Sequence, residues 1–312
     1  MSRKSSYENI NYQIRPAKAI ERKMLCDSFR RLNQFALIES YTYVGFGSTF
    51  FSDFILFHKT LGINKMVSIE HDEEKEERFQ FNVPFNCIEW IPGTSNDVLP
   101  TLDWGNKSIV WLDYDDSFNR EMLEDISFLT SSLVSGSIII ISCNVHFPKE
   151  KRLEMLKKKL EDKMPEGLKE EDLDGWNIAK ETRKLILSEI DKTLYDTNSL
   201  KTDQKKHVFK QLFNFCYKDG AKMFTFGGII HEIGEEDKFK KCNFDNLSFI
   251  KNDNKLYKID IPSLTYKEKR HLDTQLPCED ISSLEAAGIK TSDIEKYADY
   301  YRYFPNFAET EI

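Results

Sequence analysis

Hydrophobic and polar positions change period along the chain, and the changes mark out its elements. Residues 16–34 carry Ile20, Met24, Leu25, Phe29 and Leu32 at helical spacing, behind a Pro16 that suits a first helical position. The opposite face holds Arg15, Lys18, Glu21, Arg22 and Lys23 and reads as a solvated helix face. Short apolar runs then alternate with helical segments, the pattern of βαβ units. The runs at 42–46, 66–70, 87–91, 109–113 and 137–142 predict five strands. Between them, 49–61 predicts a helix with Phe50, Phe54 and Leu61 inward, and 73–80 a highly charged one. Ile138-Ile139-Ile140-Ile141 is apolar on both faces, as a central parallel strand covered by helices must be. The fold class is therefore α/β, a doubly wound, mostly parallel sheet.

After Pro148 the chain becomes rich in Lys and Glu, and 149–218 reads as three helices. Their apolar stripes are Leu153, Leu156 and Leu160; Ile178, Leu185, Ile186 and Ile190; and Val208, Leu212, Phe213 and Cys216, with Gly220 as a stop signal for the third. Strand-like sequence returns at 222–231 and 247–261. The expected organisation is a 1–35 helical segment with a frayed start over 1–13, a 36–148 Rossmann-like core, a 149–221 helical insertion or cap, and 222–312 completing the sheet. The tail, with Tyr297, Tyr300, Tyr301, Tyr303, Phe304 and Phe307, is aromatic enough to require a packing partner.

Composition adds bounds. A chain of 312 residues with 40% apolar and 31% charged side chains can build a real core under a well-solvated surface. Acidic residues outnumber basic ones, 52 to 44, for a net charge of −8, so non-specific binding to nucleic acid or to anionic membranes is not expected. The start, Met1-Ser2-Arg3-Lys4-Ser5-Ser6, lacks a signal-peptide stretch, and no run approaches the roughly 18 apolar residues of a membrane span. Six scattered cysteines without a Cys-x-x-Cys pair read as reduced, mostly buried thiols, which makes a cytoplasmic protein the expectation.

Candidate chemistry gathers at the C-terminal ends of the predicted strands. In Tyr43-Val44-Gly45-Phe46-Gly47-Ser48 a strand ends in glycines and turns into a helix, which lets a ligand approach the backbone; the alternative is a tight structural turn. Phe50 stands where a dinucleotide fingerprint would place its third glycine. Glu70 ends the second run, near the spacing of about 20 residues at which an acid meets ribose hydroxyls; His71 and Asp72 adjoin it. Asn96 and Asp97 follow Pro92-Gly93 and either meet an adenine or cap a helix. Asp113, Asp115 and Asp116 crowd the end of the fourth strand, where an acid positions a ligand or acts as a base. No metal is expected, because Asn144 and His146 would have to complete its shell. Neither a Gly-x-Ser-x-Gly elbow nor a P-loop is present.

This order of motifs resembles class I S-adenosylmethionine (SAM)-dependent methyltransferases. The segments Ile14-Arg15-Pro16-Ala17-Lys18-Ala19-Ile20-Glu21-Arg22-Lys23-Met24, Val67-Ser68-Ile69-Glu70, Ile109-Val110-Trp111-Leu112-Asp113-Tyr114-Asp115, Gln211-Leu212-Phe213-Asn214-Phe215 and Asp219-Gly220-Ala221-Lys222-Met223 are similar, more narrowly, to a bacterial family labelled putative O-methyltransferases. The resemblance implies a seven-stranded sheet with an antiparallel last strand and SAM as cofactor. It assigns Gly45, Phe46, Gly47 and Ser48 to the loop around the methionine portion, Glu70 to the ribose, Asn96 or Asp97 to the adenine, and Asp113 to the amino end. Many relatives have Gly-Asp after the third strand, where this chain has Gly93-Thr94. Arg15, Lys18 and Arg22 either close over the ligand carboxylate or acceptor, or are simply solvated. Asp113, Asp115 and His146 are the candidate catalytic bases, for an unidentified methyl acceptor. Two other readings stay open: a non-catalytic partner protein that binds through the charged insertion, and an NAD-dependent oxidoreductase.

Overall fold

The computed structural model describes residues 15–71, 75–148 and 150–306. The expectations for 1–13, for Asp72, for the first residues of the 73–80 helix and for Phe307 lie outside them. Eight strands form one sheet in the order β3-β2-β1-β4-β5-β7-β6-β8. They are β1 (Thr42–Gly45), β2 (Lys65–Glu70), β3 (Ile88–Pro92), β4 (Ser108–Ser117), β5 (Ser137–Asn144), β6 (His207–Asp219), β7 (Ala221–Glu232) and β8 (Tyr257–Ile259). Neighbours from β3 to β5 pair in parallel, β7 runs against both β5 and β6, and β8 lies parallel to β6. The fold is thus the expected doubly wound α/β sheet with an antiparallel β7, enlarged to eight strands by the three-residue β8. The long strand expected over 247–261 shortens to that piece.

The sheet is covered on both sides. Ile138 and Ile140 join one core with Tyr43, Trp111 and the helices α1 (Pro16–Phe29) and α2 (Ser52–Leu61). Ile139 and Ile141 join the other, with Val44, Val110 and Leu112. The short α3 (Glu76–Asn82) belongs to the first side, where its buried Phe79 stacks on Trp90. The second side is covered in part by the short α4 (Ser95–Val98), with Val98, and by α5 (Arg120–Ser132), α6 (Arg152–Leu160) and α7 (Asn177–Asn198), which supply Leu129, Leu156 and Ile186. Chain order runs outward from β1 to β3 and then restarts at β4, so direction switches between β1 and β4, where Gly45 pairs with Trp111. Ligands of open α/β sheets bind outside the strand ends at such a point.

Two expectations need correction. The third helix of the insertion is β6, and Gly220, at φ +97°, turns the chain into β7 rather than ending a helix. A bulge between Gln211 and Phe213 explains the misreading: it sends Leu212 and Phe213, consecutive residues, into the same core as Phe215 and Tyr217. That breaks the period of two and imitates a helical stripe. The second correction concerns α1, whose charged face is not solvated. Lys18 is 1% exposed, Glu21 0%, Arg22 8% and Arg15 9%.

The tail packs up to residue 306 as its aromatic content requires. α10 (Thr291–Tyr300), which follows α8 (Glu236–Lys241) and α9 (Tyr266–Asp273), buries Tyr297 and Tyr300. Tyr303 meets Phe249 edge to face and donates a hydrogen bond to Asp27 on α1 at 2.8 Å. All six cysteines are free, four of them buried.

Candidate functional site

β1 delivers its glycines to the switch point, and both are held there by the chain's own packing. A Cβ on Gly45 would lie 2.7 Å from the Tyr43 hydroxyl and 3.0 Å from the Trp111 carbonyl oxygen. On Gly47 it would lie 2.5 Å from the buried Phe51 ring and 2.7 Å from Ser68 Oγ. The helix expected from 49 begins only at Ser52, because the loop before it folds back through two left-handed residues, Ser48 (φ +49°) and Phe51 (φ +47°). The tight turn is therefore present, and the space that a Cβ would take at either glycine is filled by the chain's own atoms.

The loop amides turn toward the neighbouring strand. Gly47 N–H donates to Ser68 Oγ at 3.1 Å and Ser48 N–H to Glu70 Oε1 at 2.5 Å. The Glu70 carbonyl in turn accepts from Gly93 N–H at 2.9 Å, which ties the strand end to the loop after β3. Burial pushes the partly buried Glu70 carboxyl up to about 8; the amides of Ser48 and Gly47 oppose the rise, and the negative charges of Asp115 and Asp53 add to it. The effect of Asp115 on Glu70 places those two predicted residues in one electrostatic neighbourhood, with Asp115 on the exposed side.

Beneath the glycines lies a polar network that the sequence did not announce. Tyr43 donates to the buried Asp53 of α2. Burial raises the Asp53 carboxyl, while the positive Arg22 of α1 lowers it. Asp113, which the alternation of β4 turns to the same side as Trp111, accepts from Lys18 Nζ at 2.7 Å and keeps 23% of its side chain exposed. Charged residues at helical spacing among apolar ones were the available signal, but the sequence alone does not reveal which face of α1 meets the sheet.

On the other side, Phe46 meets Tyr114 edge to face, and Tyr114 donates to Asp125 of α5. The 2%-exposed Asp125 also accepts from Ser95 Oγ at 2.5 Å and from Asn96 Nδ2 at 2.9 Å, and burial pushes its carboxyl up to about 6. Asn96 is thus engaged by Asp125 and by the Glu121 carbonyl. Asp97 accepts from Thr94 Oγ1 at 2.7 Å while Thr94 caps α4, so the cap is Thr94 and the contacts of Asp97 are those of a helix start.

His146 stands apart. It lines a hollow of about 230 Å³ with Arg152, Leu173, Ile178 and Lys222, beyond the end of β5, and among the described residues no contact ties it to Asp113 or Glu70. The structure therefore gathers Gly45, Gly47, Ser48, Glu70, Asp113 and Asp115 around the β1/β4 switch, sets Phe46, Asn96 and Asp97 along one flank, and leaves His146 in a separate recess. Among the described residues no group of three His, Cys, Asp or Glu side chains could hold a metal ion, and no helix is long and apolar enough to cross a membrane.

The sequence matches the family described as "Putative O-methyltransferase" over residues 10–312. No curated protein matches it. Similar solved structures include a cofactor-bound Rv0187 from MTB, at 14% identity and TM-score 0.36 over 69% of this chain and 89% of that one. An O-methyltransferase from Bacillus cereus in complex with SAH has 12% identity and TM-score 0.38 over 72% and 86%. Trm1 from Pyrococcus horikoshii with S-adenosyl-L-methionine has 12% identity and TM-score 0.48 over 75% and 60%.

Proposed function

Because the chain belongs to the putative O-methyltransferase family, we propose that it is a SAM-dependent methyltransferase, transferring the methyl group to an oxygen of an acceptor not yet identified. One observation carries the reading. Glu70, Asp113 and Asp115 stand at neighbouring strand ends around the β1/β4 switch, while the Gly47 and Ser48 amides already donate to Ser68 and Glu70. A dinucleotide needs free loop amides for its pyrophosphate, and carboxylates beside that diphosphate repel it, although one acid at the ribose suits both ligands. A nucleoside with a ribose diol, an ammonium and a sulfonium suits the opposite arrangement. This weighs against the NAD reading more strongly than the missing third glycine does.

When bound, SAM supplies an electrophilic methyl group on its sulfonium sulfur. The chain's own residues would do the rest. Glu70 would accept the ribose hydroxyls, Asp113 would take the ammonium, the turn at Gly45 and Gly47 would border the amino-acid chain, and Asn96 with Asp97 would stand on the adenine flank. Displacement at a methyl carbon is in line, so holding the acceptor oxygen on that line and excluding water supplies most of the catalysis. A base is required only where the acceptor hydroxyl must lose its proton. Asp115 is then better placed than Asp113, which Lys18 engages, and than His146, which lies in a separate recess. The insertion and the aromatic tail would form the acceptor side, and the insertion is the proposed contact for a protein partner.

Titrating the purified protein with SAM and separately with NADH in a calorimeter tests the reading. SAM should bind and NADH should not; no heat and no thermal shift with millimolar SAM would remove it. A second reading, a SAM-fold partner protein without turnover, draws support from the same Lys18–Asp113 pair, which occupies one candidate base. Consumption of SAM on addition of cell extract would decide against it.

A further inference from the structure

The buried cations beneath α1 meet carboxylates from several strands. Arg15 faces Asp219 at 3.9 Å, and Arg22 acts on Asp53 across the Tyr43 network. Lys18 lies between two carboxylates, Asp113 at 2.7 Å and Glu21 at 2.8 Å. Glu21 is fully buried, whereas Asp113 keeps part of its side chain open, so of the two it is Asp113 that can meet a ligand.

Lys18 is fixed at both ends. Its backbone N–H and that of Ala17 donate to the Asp219 carboxylate at 3.0 and 3.3 Å. Its ammonium lies 4.3 Å from the centre of the Trp111 ring, and that ring is held in turn by a 2.9 Å hydrogen bond from its Nε1 to Ser142 Oγ. A buried ammonium is costly to desolvate unless its partners are close and well directed; here two carboxylates and an aromatic face meet that condition. The result is an Asp113 carboxylate with one oxygen anchored and its orientation set.

We infer that Lys18, compensated by Glu21, is the positioning residue that holds Asp113 ready for a cationic group of the ligand, the α-ammonium of its amino-acid end. This rests on the SAM reading and adds to it the device that selects the amino-acid end over the nucleoside alone. Nothing in it makes Lys18 a contact of the ligand: at 1% exposure it acts through Asp113.

The test compares two probes by calorimetry: S-adenosylhomocysteine, which carries the amino-acid end, and 5′-methylthioadenosine, which lacks it. Wild-type protein should prefer the former by about ten- to a hundredfold, the scale of one charge-assisted contact. The Lys18→Met/Glu21→Met pair removes one cation and one anion together and leaves Asp113 unanchored. It should lose most of that preference while binding 5′-methylthioadenosine as before. A retained preference overturns the inference. So does an equal loss of both ligands, which is what a merely structural role for Lys18 would give. Should the paired variant not fold, Lys18→Arg keeps the charge and alters its reach; a reduced preference supports the inference and an unchanged one overturns it. If wild-type protein binds neither probe, the SAM reading itself falls and the inference with it, an outcome distinct from the loss of preference alone.

Discussion

Glu70 shows how a single side chain can answer to pH before any ligand arrives. Its carboxyl is pushed from an ordinary 4.5 up to about 8, chiefly by burial. The folded state therefore holds the proton more tightly than the unfolded chain does. Stability is unaffected below the unfolded value, falls as pH rises from about 4.5 through about 8, and then levels off. Glu70→Gln carries no charge and should escape this loss. The melting temperature of the variant relative to wild type should rise across pH 5 to 9, and thermal melts giving a constant gap would contradict the burial argument. In binding, above about pH 8, where the carboxyl is ionised, Glu70→Ala should weaken SAM by one to two charge-assisted hydrogen bonds, on the order of 1.5–3 kcal/mol each; unchanged affinity in a titration there would place the ribose elsewhere. Gly47 is constrained by contact: a Cβ 2.5 Å from the Phe51 ring forces a buried aromatic or its left-handed backbone to move. Gly47→Ala should cost about 1–3 kcal/mol in urea unfolding, the range for overpacking a tight interior.

Among the elements, β6 and β7 are the most demanding pair. The bulge at Gln211 and Phe213 faces Gly227 and Gly228, and a Cβ on Gly228 would sit 2.1 Å from the Lys210 carbonyl oxygen. Backbone cannot yield as a flexible side chain does, so Gly228→Ala should destabilise more than Gly47→Ala in the same denaturant series. Equal or smaller loss would mean that the strands do not approach so closely. The same bulge marks a limit of what sequence conveys. β1 to β5 were legible because each is a short apolar run bounded by a helix, and Ile138 to Ile141 could serve no other purpose. β6 was not, since one extra residue shifts the alternation and puts Leu212 beside Phe213 on a single face. Its Phe and Tyr content was the better guide, as aromatic residues favour strands. For α1 the period was right and the environment was not. Charged residues are usually solvated, and the meeting of Asp53, Asp113 and Asp219 with that face makes its burial tolerable.

Across the whole molecule, distant segments converge on α1: Asp219 from the end of β6 and Asp113 from β4 at its first turn, and Tyr303 from the tail at Asp27 in its last. Tyr303→Phe removes the last of these hydrogen bonds while keeping the ring against Phe249, and should cost about 0.5–1.5 kcal/mol by chemical unfolding; no change would show that the tail contributes through its ring alone. The site was half legible in the same sense. Glu70 and the glycine turn could be read because they lie on neighbouring strands at a recurrent spacing. Lys18, Asp53 and Asp125 could not, because they reach the strand ends from helices whose docking is decided by packing. The most direct measurement is a crystal structure with S-adenosylhomocysteine bound. The account predicts ribose oxygens within hydrogen-bond reach of Glu70 and the amino nitrogen on Asp113; a ligand seated away from the β1/β4 switch, or a ribose out of reach of Glu70, would contradict it.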